Sequence, residues 1–89
     1  MPLVRFTQNI QRHVECPERR CDGRTVREVL DDYFSHHVRA RGYVLDEHGL
    51  VRKHMVVFVD GAQVLDRETL ADPVDPDATI DVIQALSGG

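Results

Sequence analysis

Thr25-Val26-Arg27-Glu28-Val29-Leu30-Asp31-Asp32-Tyr33-Phe34-Ser35-His36-His37-Val38 is the stretch on which the fold turns. Thr25 and Glu28 stand at capping-box spacing, where the hydroxyl accepts from the third amide and the carboxylate reaches back. Val26, Val29, Leu30, Tyr33, Phe34 and Val38 then recur at helical spacing and form one apolar stripe. Asp31, Asp32, His36 and Arg39 fall on other faces. Arg39 and Arg41 sit where the helix dipole favours positive charge, and Gly42 is the expected C′ stop. A striped helix needs a cover, and the flanking sequence supplies strands to make one.

On the N-terminal side, residues 3–7 (Leu-Val-Arg-Phe-Thr) read as a strand with Val4 and Phe6 on one face. Gln8-Asn9 is a tight connection, and residues 10–15, apolar at Ile10 and Val14, complete an expected first hairpin. Residues 16–24 hold a proline, a glycine and several charges and read as loop. On the C-terminal side, Tyr43-Val44-Leu45 leads into a turn at residues 46–49, and Leu50-Val51 continues. Val56-Val57-Phe58-Val59 is a β-branched buried strand closed by Asp60-Gly61, a hairpin signal that sends Gln63-Val64-Leu65 back antiparallel. Residues 66–77, rich in aspartate and carrying Pro73 and Pro76, read as loop with a short turn at 67–70. The last strand spans residues 79–85, with Ile80 and Val82 on one face and Asp81, Ile83 and Ala85 on the other. One helix and four or five strands around a single core describe an α+β β-grasp arrangement: a mixed four- to five-stranded sheet wrapped over one main helix.

Eighty-nine residues make one domain. We read residues 1–86 as the β-grasp body and residues 87–89 as a flexible tail, since glycine has no Cβ to restrict it. The net charge is −4, with 29% of residues charged. That is a soluble, mildly acidic composition, which argues against a nucleic-acid partner but permits a partner with a basic groove. The longest apolar run, residues 55–59, is too short to span a bilayer, and the N-terminus lacks a signal-peptide layout. The expectation is a cytoplasmic protein with no membrane partner and two reduced thiols, Cys16 and Cys21.

Four stretches together resemble the ubiquitin-like sulfur-carrier family, the MoaD/ThiS type, which includes the small subunits of molybdopterin synthase and the thiamin sulfur carriers. They are the first hairpin, the Thr-Val-x-Glu-Val-Leu helix start at 25–30, Val57-Phe58-Val59-Asp60-Gly61, and the end. The end reads Leu70-x-Asp72-Pro73-Val74, then Ile80-x-Val82-Ile83-x-Ala85-Leu86-Ser87-Gly88-Gly89. The loop with Cys16 and residues 43–53 are longer than in the smallest members and mark a subgroup with its own partner.

The resemblance implies a carrier, not an enzyme. An E1-like activating enzyme uses ATP to adenylate the Gly89 carboxylate. A persulfide or sulfide donor converts the acyl-adenylate to a thiocarboxylate, which a sulfur-accepting biosynthetic enzyme consumes. Gly88 and Ser87 form the tether, while Leu86, Ala85 and Ile83 are the expected partner contacts. No bound cofactor and no metal are implied. Two other readings stand beside this one: a protein modifier joined to lysines through Gly89, and a β-grasp interaction module with an inert tail.

Other signals weigh less. His13, Cys16 and Cys21 with His36, His37, His48 or His54 offer zinc-type ligands, but Cys-Pro-Glu-Arg-Arg-Cys lacks the usual gap and a second pair. Arginines at 19, 20 and 24 would lower a nearby thiol pKa, yet two solvent-exposed reduced cysteines are the plainer account. The His36-His37 pair reads as a solvated helix edge. The acidic 66–77 stretch lacks the alternating oxygen ligands of a calcium loop.

Overall fold

The capped helix nucleates as its sequence dictates. In the computed structural model, which describes residues 1–85, Thr25 Oγ1 accepts from the Glu28 amide at 3.2 Å. Glu28 Oε1 accepts from the Arg24 amide at 2.9 Å, one residue outside the cap. The helix, α2 (Val26–His36), buries Val26, Val29, Leu30, Tyr33 and Phe34. At about 1.5–3 kcal/mol per fully buried large apolar side chain, this stripe is a main source of stability.

Five strands cover it: β1 (Leu3–Phe6), β2 (Arg19–Arg20), β3 (Met55–Val59), β4 (Ala62–Gln63) and β5 (Thr79–Gln84). Their order in the mixed sheet is β2-β1-β5-β3-β4. β5 is central, parallel to β1 and antiparallel to β3. The inward residues Val4, Phe6, Val57, Ile80 and Val82 meet the helix stripe in one core. Asp60 and Gly61 both take positive φ, 49° and 85°, the mirror-image turn that suits a tight hairpin between β3 and β4. The chain has the α+β β-grasp fold that its pattern implies.

Three expectations need correction. Residues 10–15 are not the second strand of a hairpin. A one-turn helix, α1 (Gln8–Gln11), follows β1, and Ile10 and Val14 are both buried. A spacing of four satisfies a helical face as well as a strand face, and here the helical face wins. The partner of β1 is Arg19–Arg20, inside the expected loop, with Leu3 opposite Arg20.

The helix stripe also stops earlier than expected. The chain leaves helical geometry at His37 (φ −135°, ψ 69°), and a separate helix, α3 (Val38–Val44), begins. α3 buries Ala40 and Val44, a new phase that leaves Val38 72% exposed. Gly42 lies inside α3 and stops nothing.

The cysteines are not exposed either: Cys16 and Cys21 are both core residues. Tyr33 donates its hydroxyl to the Pro17 carbonyl at 2.7 Å and draws this segment over the core. Burial pushes the Cys16 thiol up and the Cys21 thiol up to about 11, so neither is activated.

The long connections are tied down by side chains. Asp46 Oδ1 accepts from the His48 and Leu50 amides and closes the 46–49 turn. Arg27 reaches from α2 to donate to the Gly49 carbonyl at 2.7 Å and the Glu68 carbonyl at 3.0 Å.

Candidate functional site

β5 carries the chain to its C-terminal residues, and both neighbours hold it to its end. The Thr7 amide donates to the Val82 carbonyl at 3.2 Å, and the Ala85 amide to the His54 carbonyl at 2.8 Å. Ala85 is therefore held in the middle of the sheet, between β1 and β3.

Alternation gives the strand two separate tasks. Ile80 and Val82 point inward and are fully buried. Asp81 and Ile83 point to the outer face, where both are partly exposed. Register decides their neighbours. Ile83 lies directly opposite Val56, and Asp81 opposite Phe58. Directly opposed residues share a face, so Ile83, Val56 and the diagonal Phe58 form one half-buried apolar patch.

An ion pair borders that patch. Arg5 on β1 donates to Asp81 through Nε at 2.8 Å and Nη2 at 3.0 Å, a two-pronged contact across paired strands. The hydrogen bond and then the charge of Asp81 raise the Arg5 pKa, so the guanidinium is a fixed cation. It lies exposed, and such pairs orient side chains more than they stabilise. A shallow depression of about 280 Å³ runs alongside, lined by Arg5, Thr7, Glu18, Asp81 and Ile83 among others.

Of the expected site residues, Ile83 and Ala85 lie at this end of β5, both partly exposed. Leu86, Ser87, Gly88 and Gly89 lie outside the described residues. Val56, Phe58, Arg5 and Asp81 join the site without having been expected there. The signal for the first two was faint: an unbroken run, Val56 to Val59, hides which members face out.

On the other side of the strand end, a cavity of about 210 Å³ is lined by Ile10, His13, Tyr43, His54, Met55 and Gln84. His13 stacks on Tyr43 with ring centroids 6.3 Å apart. The structure does not bring the zinc-type candidates together. His13 is exposed, whereas Cys16 and Cys21 are buried, and no group of three or more metal-ligating side chains occurs among the described residues. No helix among them is long and apolar enough to cross a membrane.

No family model and no curated protein matches the sequence. Solved structures do match over essentially the whole chain. A chain of the Amycolatopsis orientalis BexX/CysO complex superposes with a TM-score of 0.83 at 22% identity, covering 100% of both chains. Haloferax volcanii SAMP1 gives 0.77 at 18% identity, covering 99% of this chain and 98% of that one. Mycobacterium tuberculosis CysO gives 0.81 at 15% identity, covering 97% and 100%. At these identities the likeness establishes a shared fold, the ubiquitin-like β-grasp, from end to end.

Proposed function

We propose that this protein is a sulfur carrier whose reactive group is the Gly89 carboxylate. One observation carries the reading: Gly88-Gly89 lies a few residues beyond the central strand of a β-grasp sheet. The full-length likeness in fold to CysO and SAMP1 structures supports it.

In this reading the Gly89 carboxylate attacks the α-phosphate of ATP on an E1-like activating enzyme and pyrophosphate leaves. Sulfide then attacks the acyl carbon. The carbon–sulfur bond forms, the bond to the phosphate-bearing oxygen breaks, and AMP departs. If the donor is a persulfide, a thiol must afterwards cleave the sulfur–sulfur bond. The carrier contributes a tether whose last two residues, Gly88 and Gly89, have no Cβ and so enter narrow active sites, and a docking face. It needs no acid, base, metal or bound cofactor of its own, so we read it as a cosubstrate and not an enzyme. Its setting is the cytoplasm, where thiols stay reduced.

The docking face is the patch of Ile83, Val56 and Phe58, with Ala85 and Leu86 following the tail into the partner. One structural neighbour belongs to a complex named for BexX and CysO. By analogy the acceptor here is a biosynthetic enzyme that binds the carrier directly.

Mass spectrometry tests the chemistry. Incubation with the cognate activating enzyme, ATP and a sulfur donor is expected to replace one oxygen by one sulfur at the C-terminus. An unchanged mass sinks the proposal.

A second reading has one observation in its favour: another neighbour is named a small archaeal modifier protein. A modifier would yield a ladder of larger conjugates in cell lysate that disappears when Gly89 is deleted.

A further inference from the structure

Of the 11 Lys and Arg residues in the chain, only Lys53 is lysine. The difference matters to a protein whose own carboxylate becomes activated. An arginine guanidinium stays protonated and does not attack acyl carbons, whereas a lysine amine does. The thiols of Cys16 and Cys21 are buried and do not compete. Two amines are left as internal nucleophiles: the side chain of Lys53 and the α-amine of Met1.

The fold puts these two amines at opposite ends of the sheet. Lys53 is exposed, in the turn that enters β3, and makes no ion pair among the described residues. Its neighbour His54 accepts the Ala85 amide at 2.8 Å. Summed bond lengths across that contact place the Lys53 Cα within about 10 Å of the Ala85 Cα. The four residue steps from Ala85 to Gly89 span at most about 14 Å, and the four-carbon lysine stem adds to that reach. Met1 is placed differently. β1 runs parallel to β5 with Leu3 opposite Thr79, so Met1 lies beyond the start of β5. From Thr79 to Ala85 the chain rises about 20 Å, which is more than the last four residues can cover. One amine of this chain is therefore within reach of Gly89, and it is Lys53.

We infer that Lys53 is an internal acceptor for the activated Gly89 carboxyl, joined to it by an isopeptide bond that closes residues 53–89 into a ring. The inference rests on the activation of Gly89 proposed above. The Lys53 nitrogen attacks the acyl-adenylate carbon and the carbon–nitrogen bond forms. The bond to the phosphate-bearing oxygen breaks, AMP leaves with the electron pair, and the amine's proton passes to water. Proximity supplies the advantage, since the short span from Ala85 holds the two ends at high effective concentration. A sulfur donor competes with this step. Without one, the activated chain closes on itself, and a ring with no free carboxylate cannot be adenylated again.

The test prepares the full chain as its Gly89 α-thioester by intein cleavage and follows it by intact-mass and peptide-mapping spectrometry at mildly alkaline pH. Here the Lys53 amine displaces the thiol, and the ring is one water lighter than the hydrolysed acid. The expected product is monomeric, forms at a rate independent of protein concentration, and maps to a Lys53–Gly89 bond. Lys53→Arg, an exchange at an exposed position, is expected to keep the fold and to yield only the acid. Unfolding in urea should slow ring closure about tenfold or more relative to hydrolysis, because closure then spans residues 53–89 instead of 85–89. Because the thioester takes the activating enzyme out of the experiment, failure here is distinct from failure of the carrier chemistry. Hydrolysis alone in the parent, a bond to Met1, a ring that persists in Lys53→Arg, dimers forming in place of the ring, or closure as fast in urea as in the folded chain would overturn it.

Discussion

Replacing Gly42 by alanine is expected to stabilise this protein, and the sign of the effect is the informative part. Gly42 lies inside α3, two residues from its end, and is absent from the positive-φ glycines. A Cβ built on it meets nothing within 4 Å. Its carbonyl accepts from Arg52 Nε at 2.8 Å, a main-chain contact that a methyl group leaves alone. Glycine in a helix interior costs about 0.5–1 kcal/mol relative to alanine. α3 has only seven residues and Gly42 is near its last turn, so the lower figure, about 0.5 kcal/mol, applies. In a chain of this size 1 kcal/mol moves Tm by about 4–8 °C, giving a rise of about 2–4 °C. Circular dichroism melts measure it, and urea titrations should show a higher midpoint at unchanged slope. Were Gly42 a left-handed helix stop, alanine would instead cost about 1–2 kcal/mol. A lower Tm would therefore refute the placement of α3.

Gly23→Ala should do the opposite. Gly23 has φ +153°, and a Cβ there would lie 2.6 Å from the Val29 amide nitrogen, so backbone must move. A loss of about 2–5 kcal/mol is expected from conformational strain plus overpacking, read as a urea midpoint near or below half the parent's. Asp66 carries a pH signature. Its hydrogen bond from the Thr69 hydroxyl, then the amides of Thr69, Ala71 and Glu68, lower its pKa to about 2. Because the folded value lies below the unfolded one, the stabilisation is present above pH ~4 and is lost as pH falls toward about 2. Urea midpoints recorded across that window should fall less steeply in Asp66→Asn than in the parent. For the thiols, alkylation of Cys21 at pH 8 should be about a hundredfold slower in the native chain than in denaturant, from the thiolate fraction alone. Mass-resolved labelling at equal rates in the two states would contradict its burial.

Much of this fold was legible because certain residues permit few alternatives. Thr25 and Glu28 at cap spacing, Asp60-Gly61 after an apolar run, and the alternation of Ile80 and Val82 each specify one local geometry. Other stretches carried a real ambiguity. Ile10 and Val14 are four apart, a spacing that both periods allow, and tertiary burial chose the helix. Arg19–Arg20 is a strand of two residues, too short to show any period; backbone pairing to Leu3 and Val4 makes it one. Val38 fits the stripe of α2 by spacing, but Ala40 and Val44 set a competing phase, and the chain breaks at His37 to bury them. Cys16 and Cys21 sat among charges and a proline, which read as loop; long-range contacts, Tyr33 to Pro17 and the Cys21 amide to the Pro2 carbonyl, hold the segment against the core. At the site, the outward turn of Ile83 followed from alternation. Its companions Val56 and Phe58 did not, because register with β5 is a tertiary fact.

That register also separates recognition from stability in a way that experiment can use. Ile83 faces outward and is already partly exposed, whereas its strand neighbour Val82 is fully buried. Ile83→Thr keeps β-branching, and with it the strand preference, while it removes apolar surface from the patch. The stability cost is the transfer of about one carbon group from a half-buried position, plus part of the Val56 pairing, and should stay below about 1 kcal/mol. If a partner enzyme desolvates the patch, the new hydroxyl must be buried without a partner of its own, a penalty of about 1–3 kcal/mol on that complex. An activating enzyme would then turn over the variant about tenfold less efficiently, read as ATP-dependent pyrophosphate release, with the loss in KM and little change in Tm. Asp81→Asn, which keeps shape and breaks the charge match with Arg5, should have a smaller effect because that pair is exposed. Equal turnover of Ile83→Thr and parent would show that Ile83 takes no part in docking and would refute its place at the centre of the docking patch.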